Sequence, residues 1–146
     1  MTMNNERTIQ VLNGLLEAEY STLSQHLGEC SPFLSMQTAE DAALLQRIHV
    51  EARRNQREVT DLIIRLRGAP LPPRLPTELG GVAYLTLEYL MPQIIAGLRS
   101  LIRKYESSSG TGTAEADALV SRIVARYRSQ LRDLEKRHLD LAATAR

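Results

Sequence analysis

One short stretch of the sequence, IHVEARRNQRE, places Glu51 three residues before Arg54 inside a helical pattern. Residues three apart share one face of a helix, and a glutamate followed three residues later by a histidine is a pair of metal ligands in some helix bundles. Here an arginine stands where the histidine would be. An arginine offers no lone pair and stays protonated in proteins, so Arg54 is no ligand. We predict that its positive charge, placed beside the Glu51 carboxylate, substitutes for the charge of a metal ion.

Further polar residues interrupt the apolar stripes of the helical segments, close to the middle of each. These are Glu19 and His26 on the first segment, Glu51, Arg54 and Asn55 on the second, and Tyr127 and Gln130 on the fourth. Antiparallel helices of similar length would bring these side chains to one level. The sequence therefore predicts a buried polar layer across the core.

The sequence does not decide which side chain of the third segment faces the core at the level of the polar layer. Glu88 lies one turn before Met91, and either side chain can occupy the core at the level of the polar layer. Pro92 removes a hydrogen bond to the carbonyl of Glu88, which predicts a kink that would turn Glu88 inward. The alternative is that the helix begins at Pro92.

Glycine and proline divide the chain into four helical segments. They concentrate in ECSPFLSMQT, RGAPLPPRLPTELGG and ESSSGTGT, and between these stretches apolar residues recur at steps of three and four. An all-α fold follows, in which we predict helices over Asn5 to Cys30, Thr38 to Arg67, Leu79 to Glu106 and Thr113 to Ala143.

The connections between the helices predict the topology. The first and third are short and polar, which suits antiparallel neighbours. The middle one, Gly68 to Glu78, contains four prolines, and at about 3.1 Å per residue it would reach roughly 34 Å, close to the length of a helix of about 25 residues. The expected architecture is two antiparallel hairpins joined by a long proline-rich crossover.

Length and composition favour a single domain over residues 1–146. The lone Cys30 cannot form an internal disulfide, and the opening MTMNNERTIQ lacks the apolar run of a signal peptide, so we expect a cytoplasmic protein. No apolar stretch is long enough for a membrane helix. The balance of 18 Lys and Arg against 17 Asp and Glu gives no bias toward nucleic acid.

Two stretches resemble known helices. LNGLLEAEYSTLSQHL is similar to the opening helix of bacterioferritins, and EARRNQREVTDLIIRLRGAP to the second helix of bacterioferritins and rubrerythrin-like proteins, including its Arg-Leu-x-Gly-x-Pro ending. The resemblance implies a ferritin-like four-helix bundle whose core holds two iron or manganese ions. Its ligands would be a glutamate on the first and third helices and a Glu-x-x-His on the second and fourth.

Several positions depart from that ligand pattern. Glu19 and Glu51 match it, and Glu88 matches it in one of the two registers of the third helix. Arg54 replaces one histidine, and Tyr127 with Gln130 stands in place of the second Glu-x-x-His. A dinuclear centre is hard to build without these ligands. We therefore predict that Glu19, Glu51 and Arg54 form a buried cluster, to which Tyr127 and Gln130 donate, that is satisfied without metal. The alternative is that Arg54 leans outward and pairs with a surface acid.

Three functions remain open from the sequence. The first is a ferritin-like bundle without di-iron redox catalysis, which acts as a structural or binding module and needs no cofactor. The second is a metalloprotein with an unusual iron or manganese site built from Glu19, Glu51 and Glu88, catalysing iron oxidation or peroxide chemistry. The third is an interaction module that acts as a dimer. The missing ligands favour the first.

A homodimer is expected. Several apolar positions cannot all face one core and would cover a partner surface: Leu15, Val50, Ile64, Leu85 and Leu90.

Overall fold

The structure, a computed structural model, describes residues 3–27, 32–36, 38–74, 85–108 and 110–144. The helices in these ranges are α1 (Met3–Tyr20), α2 (Ala42–Arg65), α3 (Leu87–Ser107) and α4 (Ala114–Thr144), with 3-10 turns at Leu23–His26 and Ala39–Asp41. Within the described part of the chain the extended pairing is limited to one isolated bridge between Phe33 and Thr86. The prediction of an all-α fold is confirmed.

The first helix is shorter than predicted. We expected it to continue to Cys30, which lies outside the described residues, but α1 ends at Tyr20. The hydroxyls of Ser21 and Thr22 donate to the carbonyls four residues before them, at 3.0 and 2.8 Å, and the Thr22 backbone is extended. Such side-chain bonds compete with the helical ladder. The chain then folds into the 3-10 turn Leu23–His26, which packs against α2 and α3.

The ends of α2 and α3 lie within two residues of their predictions, whereas both helices start later than predicted. α2 begins after the 3-10 turn that follows Thr38. α3 starts at Leu87, where the Thr86 hydroxyl accepts from the Tyr89 N–H at 3.2 Å, and residues 79–84 of the predicted helix lie outside the described ranges. Pro92 lies inside α3, so the alternative that this helix begins at Pro92 is wrong. α4 agrees with its prediction to within one residue at each end.

Side-chain contacts place the start of α1, the end of α2 and the start of α4 at one end of the molecule. Thr8 Oγ1 donates to the carbonyl of Thr111, between α3 and α4, at 2.8 Å. Arg65 in the last turn of α2 pairs with Glu115 in the first turn of α4 at 2.8 Å. α1 and α2 are therefore antiparallel, as are α3 and α4.

The starts of α2 and α3 lie at the opposite end of the molecule. The Phe33 N–H donates to the Leu85 carbonyl at 2.8 Å, and the Leu87 N–H donates to the Phe33 carbonyl at 3.0 Å. Arg137, late in α4, pairs with Asp41 just before α2 at 2.9 Å. α2 and α3 therefore both begin at this end.

The described start of the proline-rich connection lies along α1. The Asn13 carboxamide oxygen accepts from the Leu71 N–H at 2.9 Å, and the Tyr20 hydroxyl donates to the Leu71 carbonyl at 2.8 Å. Residues 69–74 thus pass from the middle of α1 toward its end. The remainder of the predicted crossover, to Glu78, lies outside the described residues.

One hydrophobic core joins the four helices. Leu15 and Leu90, which we expected to face a partner, belong to this core with 0% and 2% of their surface exposed, whereas Val50, Ile64 and Leu85 are exposed. Among the described residues, no helix combines the length and the apolar run that crossing a membrane requires.

Candidate functional site

The site is centred on the Glu19 carboxyl group, which is completely buried between the helices. The Tyr105 hydroxyl donates to Oε1 at 2.6 Å. The Tyr127 hydroxyl lies 2.8 Å from Oε1 and 2.7 Å from Oε2, and Gln25 Nε2 donates to Oε2 at 2.5 Å. Both carboxyl oxygens therefore have donors, and every donor is neutral. We call Glu19, Gln25, Tyr105 and Tyr127 the carboxyl–tyrosine cluster.

The two tyrosines come from facing stripes of α3 and α4. Tyr105 and Tyr127 are both fully buried, with ring centroids 6.1 Å apart and planes tilted by 57°. A phenol combines a large apolar ring with a polar tip, so it packs in a core only where the hydroxyl finds a partner. Glu19 is that partner for both rings.

Gln25 connects the cluster to the second helix. Its Nε2 donates to the Ala52 carbonyl on α2 at 2.8 Å as well as to Glu19. Because Gln25 belongs to the 3-10 turn, the early end of α1 is what brings this amide beneath the carboxyl group. The cluster thereby joins all four α-helices.

Burial sets the protonation of the cluster. It raises the pKa of Glu19 from 4.5 to about 7, against the hydrogen bonds from Tyr105, Tyr127 and Gln25, which lower it. Burial, followed by the charge of Glu19, raises the pKa of Tyr105 and of Tyr127 well above the ordinary phenol value. Both phenols therefore stay protonated, and Glu19 is the group that exchanges a proton near neutral pH.

A second polar group lies at the seam of α2 and α4. Arg126 Nη1 donates to Oδ1 of the fully buried Asn55 at 2.9 Å and to Glu58 Oε2 at 2.6 Å. The hydrogen bond from Arg126 lowers the pKa of Glu58. Asn55 is therefore a member of the polar core, as its stripe position predicted, and its partner Arg126 was missed.

Arg54 is not part of the buried cluster. Its side chain is 62% exposed, and its Nε lies 3.4 Å from Glu58 Oε1, one turn further along α2. The prediction that Arg54 is enclosed with Glu19 and Glu51 is wrong, and the alternative of a pair with a surface acid is correct. One step along a helix turns the side chain by about 100°, so the inward position of Asn55 directs Arg54 outward.

Glu51 lies apart from Glu19. It is half-buried at a cleft of about 210 Å³ between α2 and α4, which is also lined by Gln130 and Asp133. Gln130 Nε2 lies 3.4 Å from Glu51 Oε1, a weak hydrogen bond. Burial raises the pKa of Glu51, against the charges of Arg126 and Arg54.

The remaining predicted residues occupy separate places. Met91 is fully buried, whereas Glu88 is half-buried and accepts from the Ser35 hydroxyl at 3.0 Å, which settles the register of α3 in favour of Met91. His26 is buried in the 3-10 turn, with Nε2 at 2.7 Å from the Tyr20 carbonyl.

The residues present do not fit a pair of iron or manganese ions. Across the described ranges, no group of three or more His, Cys, Asp and Glu side chains is placed to hold a metal. Glu19, Glu51 and Glu88 in particular do not converge. A metal at Glu19 would have to displace hydroxyl and amide donors from both oxygens, and the described residues around it supply no further carboxylate or imidazole.

Two members of the cluster were missed by sequence reasoning. Tyr105 lies in the apolar stripe of α3, where the need of a buried hydroxyl for a partner was a usable signal. Gln25 gave no signal, because an uninterrupted first helix would have directed it elsewhere.

The geometry is the basis for the function. Comparisons of the chain with protein-family models, curated proteins and solved structures found no match. The resemblance of the first two helices to bacterioferritins stays a prediction. What the protein does is inferred from its own side chains.

Proposed function

We propose that the protein is a ferritin-like bundle in which the carboxyl–tyrosine cluster replaces a dimetal centre, and that it acts as a structural or binding module without redox catalysis. The observation that carries this proposal is the saturation of both Glu19 oxygens by Tyr105, Tyr127 and Gln25. Three donor hydrogens, one of them shared between the two oxygens, engage most of the lone pairs of this carboxylate and leave little to offer a cation.

Chain direction supports the ferritin-like arrangement. α2 and α3 begin at the same end of the molecule, and residues 69–74 lie along α1 as they leave the other end. A connection along the length of the bundle, with two antiparallel hairpins on either side of it, is the ferritin-like order. The four prolines of this connection suit an extended segment of that reach.

The hydrogen bonds of the cluster connect the four helices to one another. Glu19 on α1 accepts from α3 and α4, and Gln25 links it to Ala52 on α2. A shift of any one helix along its axis would break a buried hydrogen bond, and an unpaired buried polar group costs roughly 1–3 kcal/mol. The cluster therefore fixes the relative heights of the helices, which is what a rigid binding module requires.

Ferrous iron under air tests the absence of redox catalysis. Iron oxidation with the protein should be no faster than in buffer alone, because no pair of ions can be held at the cluster. The matched variants are Glu19→Gln, in the cluster, and Glu51→Gln, at the surface cleft. A catalysed rate that falls in either variant contradicts the proposal and identifies the carboxylate responsible.

We also propose that the protein forms a homodimer through the outer face of α2. Val50 and Ile64 are 54% and 56% exposed, and they lie fourteen residues apart, which places them on one side of the helix. Light scattering at high micromolar concentration should report a dimer, and Val50→Asp should convert it to a monomer. A wild-type monomer at that concentration counts against the dimer and leaves the proposal for the core intact.

A further inference from the structure

An open groove lies on the outside of the bundle between the end of α1 and the second half of α3. Its volume is about 430 Å³. One wall includes Ala18, Ser21 and Leu23, and the other includes Gln93, Gly97 and Lys104. Lys104 is the one charged side chain among the described residues that line it. We call it the α1–α3 groove.

The α3 side of the groove is uncharged over nearly three helical turns. Residues 89–98 include no acidic or basic side chain, although four of them are exposed: Tyr89, Pro92, Gln93 and Ala96. Next to the start of α3, Phe33 and Leu85 are 59% and 37% exposed. Surface helices normally carry charged side chains on the face that points away from the core. A face of α3 without them is one that another molecule is expected to cover.

Gly97 keeps the floor of the groove open. It is an interior residue of α3, where a glycine favours the helix less than any residue except proline. A Cβ added at Gly97 would meet no atom within 4 Å outside the backbone of its own helix. Packing within the described chain therefore does not require a glycine here, and a larger side chain would occupy the groove.

The charges at one end of the groove select the partner. Arg103 and Lys104 are exposed, and neither takes part in a salt bridge among the described residues. A second copy that packed its own α3 here would bring no acid to them. Parallel helices would place the two basic ends together, and antiparallel helices would place each basic end against the uncharged turns. Charge complementarity therefore favours a different, acidic partner.

We propose that the α1–α3 groove binds one helix of a partner protein, with small or apolar residues on the face toward the groove and acidic residues at the end toward Lys104. Amphipathic helices commonly bind in grooves of this kind. α3 extends roughly 25 Å from Leu87 to Lys104, which suits a partner helix of about 17 residues. The inference rests on the proposed role as a binding module and names the chemistry of its partner, whereas the account of the core does not depend on it.

The groove also stays accessible in the proposed homodimer. That dimer uses the outer face of α2, and α2 packs mainly against α1 and α4. α3 therefore lies diagonally across the bundle from the dimer face, so one molecule can bind a second copy and a partner helix at the same time.

Two synthetic peptides test the charge of the partner. Both are helices of about 17 residues with alanine and leucine along one face and glutamine elsewhere, and they carry either glutamates or lysines in the first turn. In fluorescence anisotropy titrations, the glutamate peptide should bind at least about tenfold more tightly than the lysine peptide. Lys104→Gln should reduce that preference severalfold. Equal affinity for both peptides, or no binding of the glutamate peptide at high micromolar concentration, overturns the proposal.

Gly97→Leu localises the binding. Its side chain has space in the groove and favours the helix, so the variant should fold and should weaken the glutamate peptide by about tenfold or more. Ala125→Leu is the matched control, because Ala125 is an exposed residue of α4 that does not line the groove. It should leave the affinity unchanged.

Three results for Gly97→Leu would overturn the proposal. Unchanged affinity would mean that the peptide binds elsewhere. A lower free energy of unfolding in urea would mean that another part of the chain fills the groove. Conversion of a dimer to a monomer in light scattering would mean that a second copy fills it.

Discussion

A carboxyl group in an apolar bundle is costly in its charged form unless donors surround it. Glu19 has three donors, and its pKa is still raised to about 7 because burial outweighs them. The native protein thus holds the proton of Glu19 more tightly than the unfolded chain, whose glutamates titrate near 4.5. The stability that follows is fully present below that unfolded value and is lost as pH rises through the folded value.

The first prediction concerns this pH dependence. The free energy of unfolding of the wild-type protein should fall by roughly 2–3 kcal/mol between about pH 5 and pH 8 through Glu19 alone, since one pKa unit corresponds to about 1.4 kcal/mol. Glu19→Gln should remove most of that slope, because an amide does not titrate. Urea titrations of both proteins at the two pH values measure it.

Glu51→Gln is the control for that experiment. The pKa of Glu51 is raised in the same direction, but its side chain is only half-buried, so its removal should flatten the slope less. A slope in Glu19→Gln equal to that of the wild type would show that Glu19 does not hold the proton.

The second prediction compares two arginines at the α2–α4 seam. Arg54 is 62% exposed and pairs with Glu58 along one helix, so Arg54→Ala should cost under about 1 kcal/mol. Arg126 is 18% exposed and donates to the buried Asn55 as well as to Glu58, so Arg126→Ala should cost roughly 1–3 kcal/mol. Denaturant titrations of the two variants measure both losses in the free energy of unfolding. If Arg54→Ala is the more damaging, the placement of α2 about its own axis is wrong.

At the scale of elements, the break after α1 has the largest consequence. A helix continuing past Tyr20 would carry Gln25 and His26 along the bundle, away from Glu19 and Ala52. The 3-10 turn instead places Gln25 between Glu19 and the Ala52 carbonyl of α2. A single short turn therefore connects the carboxyl–tyrosine cluster to α2.

The end of α2 gives the third prediction. Arg67 has a φ of 66°, the left-handed conformation at which glycine is favoured, and the Gly68 N–H donates to the Ile63 carbonyl at 2.9 Å in the manner of a Schellman motif. Relieving the strain at Arg67 should outweigh the added entropy of the unfolded chain. Arg67→Gly should raise the free energy of unfolding by about 0.5–1 kcal/mol.

Arg57→Gly is the matched control for the helix end. Arg57 is an exposed residue of the α2 interior, where glycine should lower the free energy of unfolding by about 1 kcal/mol. Thermal or urea unfolding of both variants gives opposite signs on this account. A loss of stability in both would show that the Arg67 conformation carries no strain.

For the whole molecule, the sequence was most informative where glycine and proline interrupt helical periodicity. These breakers predicted four helices and located α4 to within one residue at each end. Glu19, Asn55 and Tyr127 were found as polar interruptions of apolar stripes, and all three are fully buried.

The sequence could not predict how α2 is rotated about its own axis, or where side-chain hydrogen bonds would compete with those of the helix backbone. Glu51, Arg54 and Asn55 are all polar and lie within two turns of α2, so the stripe is compatible with more than one rotation of that helix. The hydroxyls that interrupt the ladder at the end of α1 are ordinary helix residues by propensity. Only the packed bundle distinguishes Asn55 as the inward residue and Arg54 as the outward one.

The central claim is that protein donors, and not metal ions, satisfy Glu19, and a manganese titration tests it most directly. Mn²⁺ added without oxygen to a high micromolar solution of the protein at about pH 8, where Glu19 is ionised, should keep the electron paramagnetic resonance signal of the free hydrated ion in proportion to the amount added. The account is contradicted if the signal is lost up to a fixed stoichiometry in the wild-type protein and in Glu51→Gln, but not in Glu19→Gln. That result would place a metal site at the core.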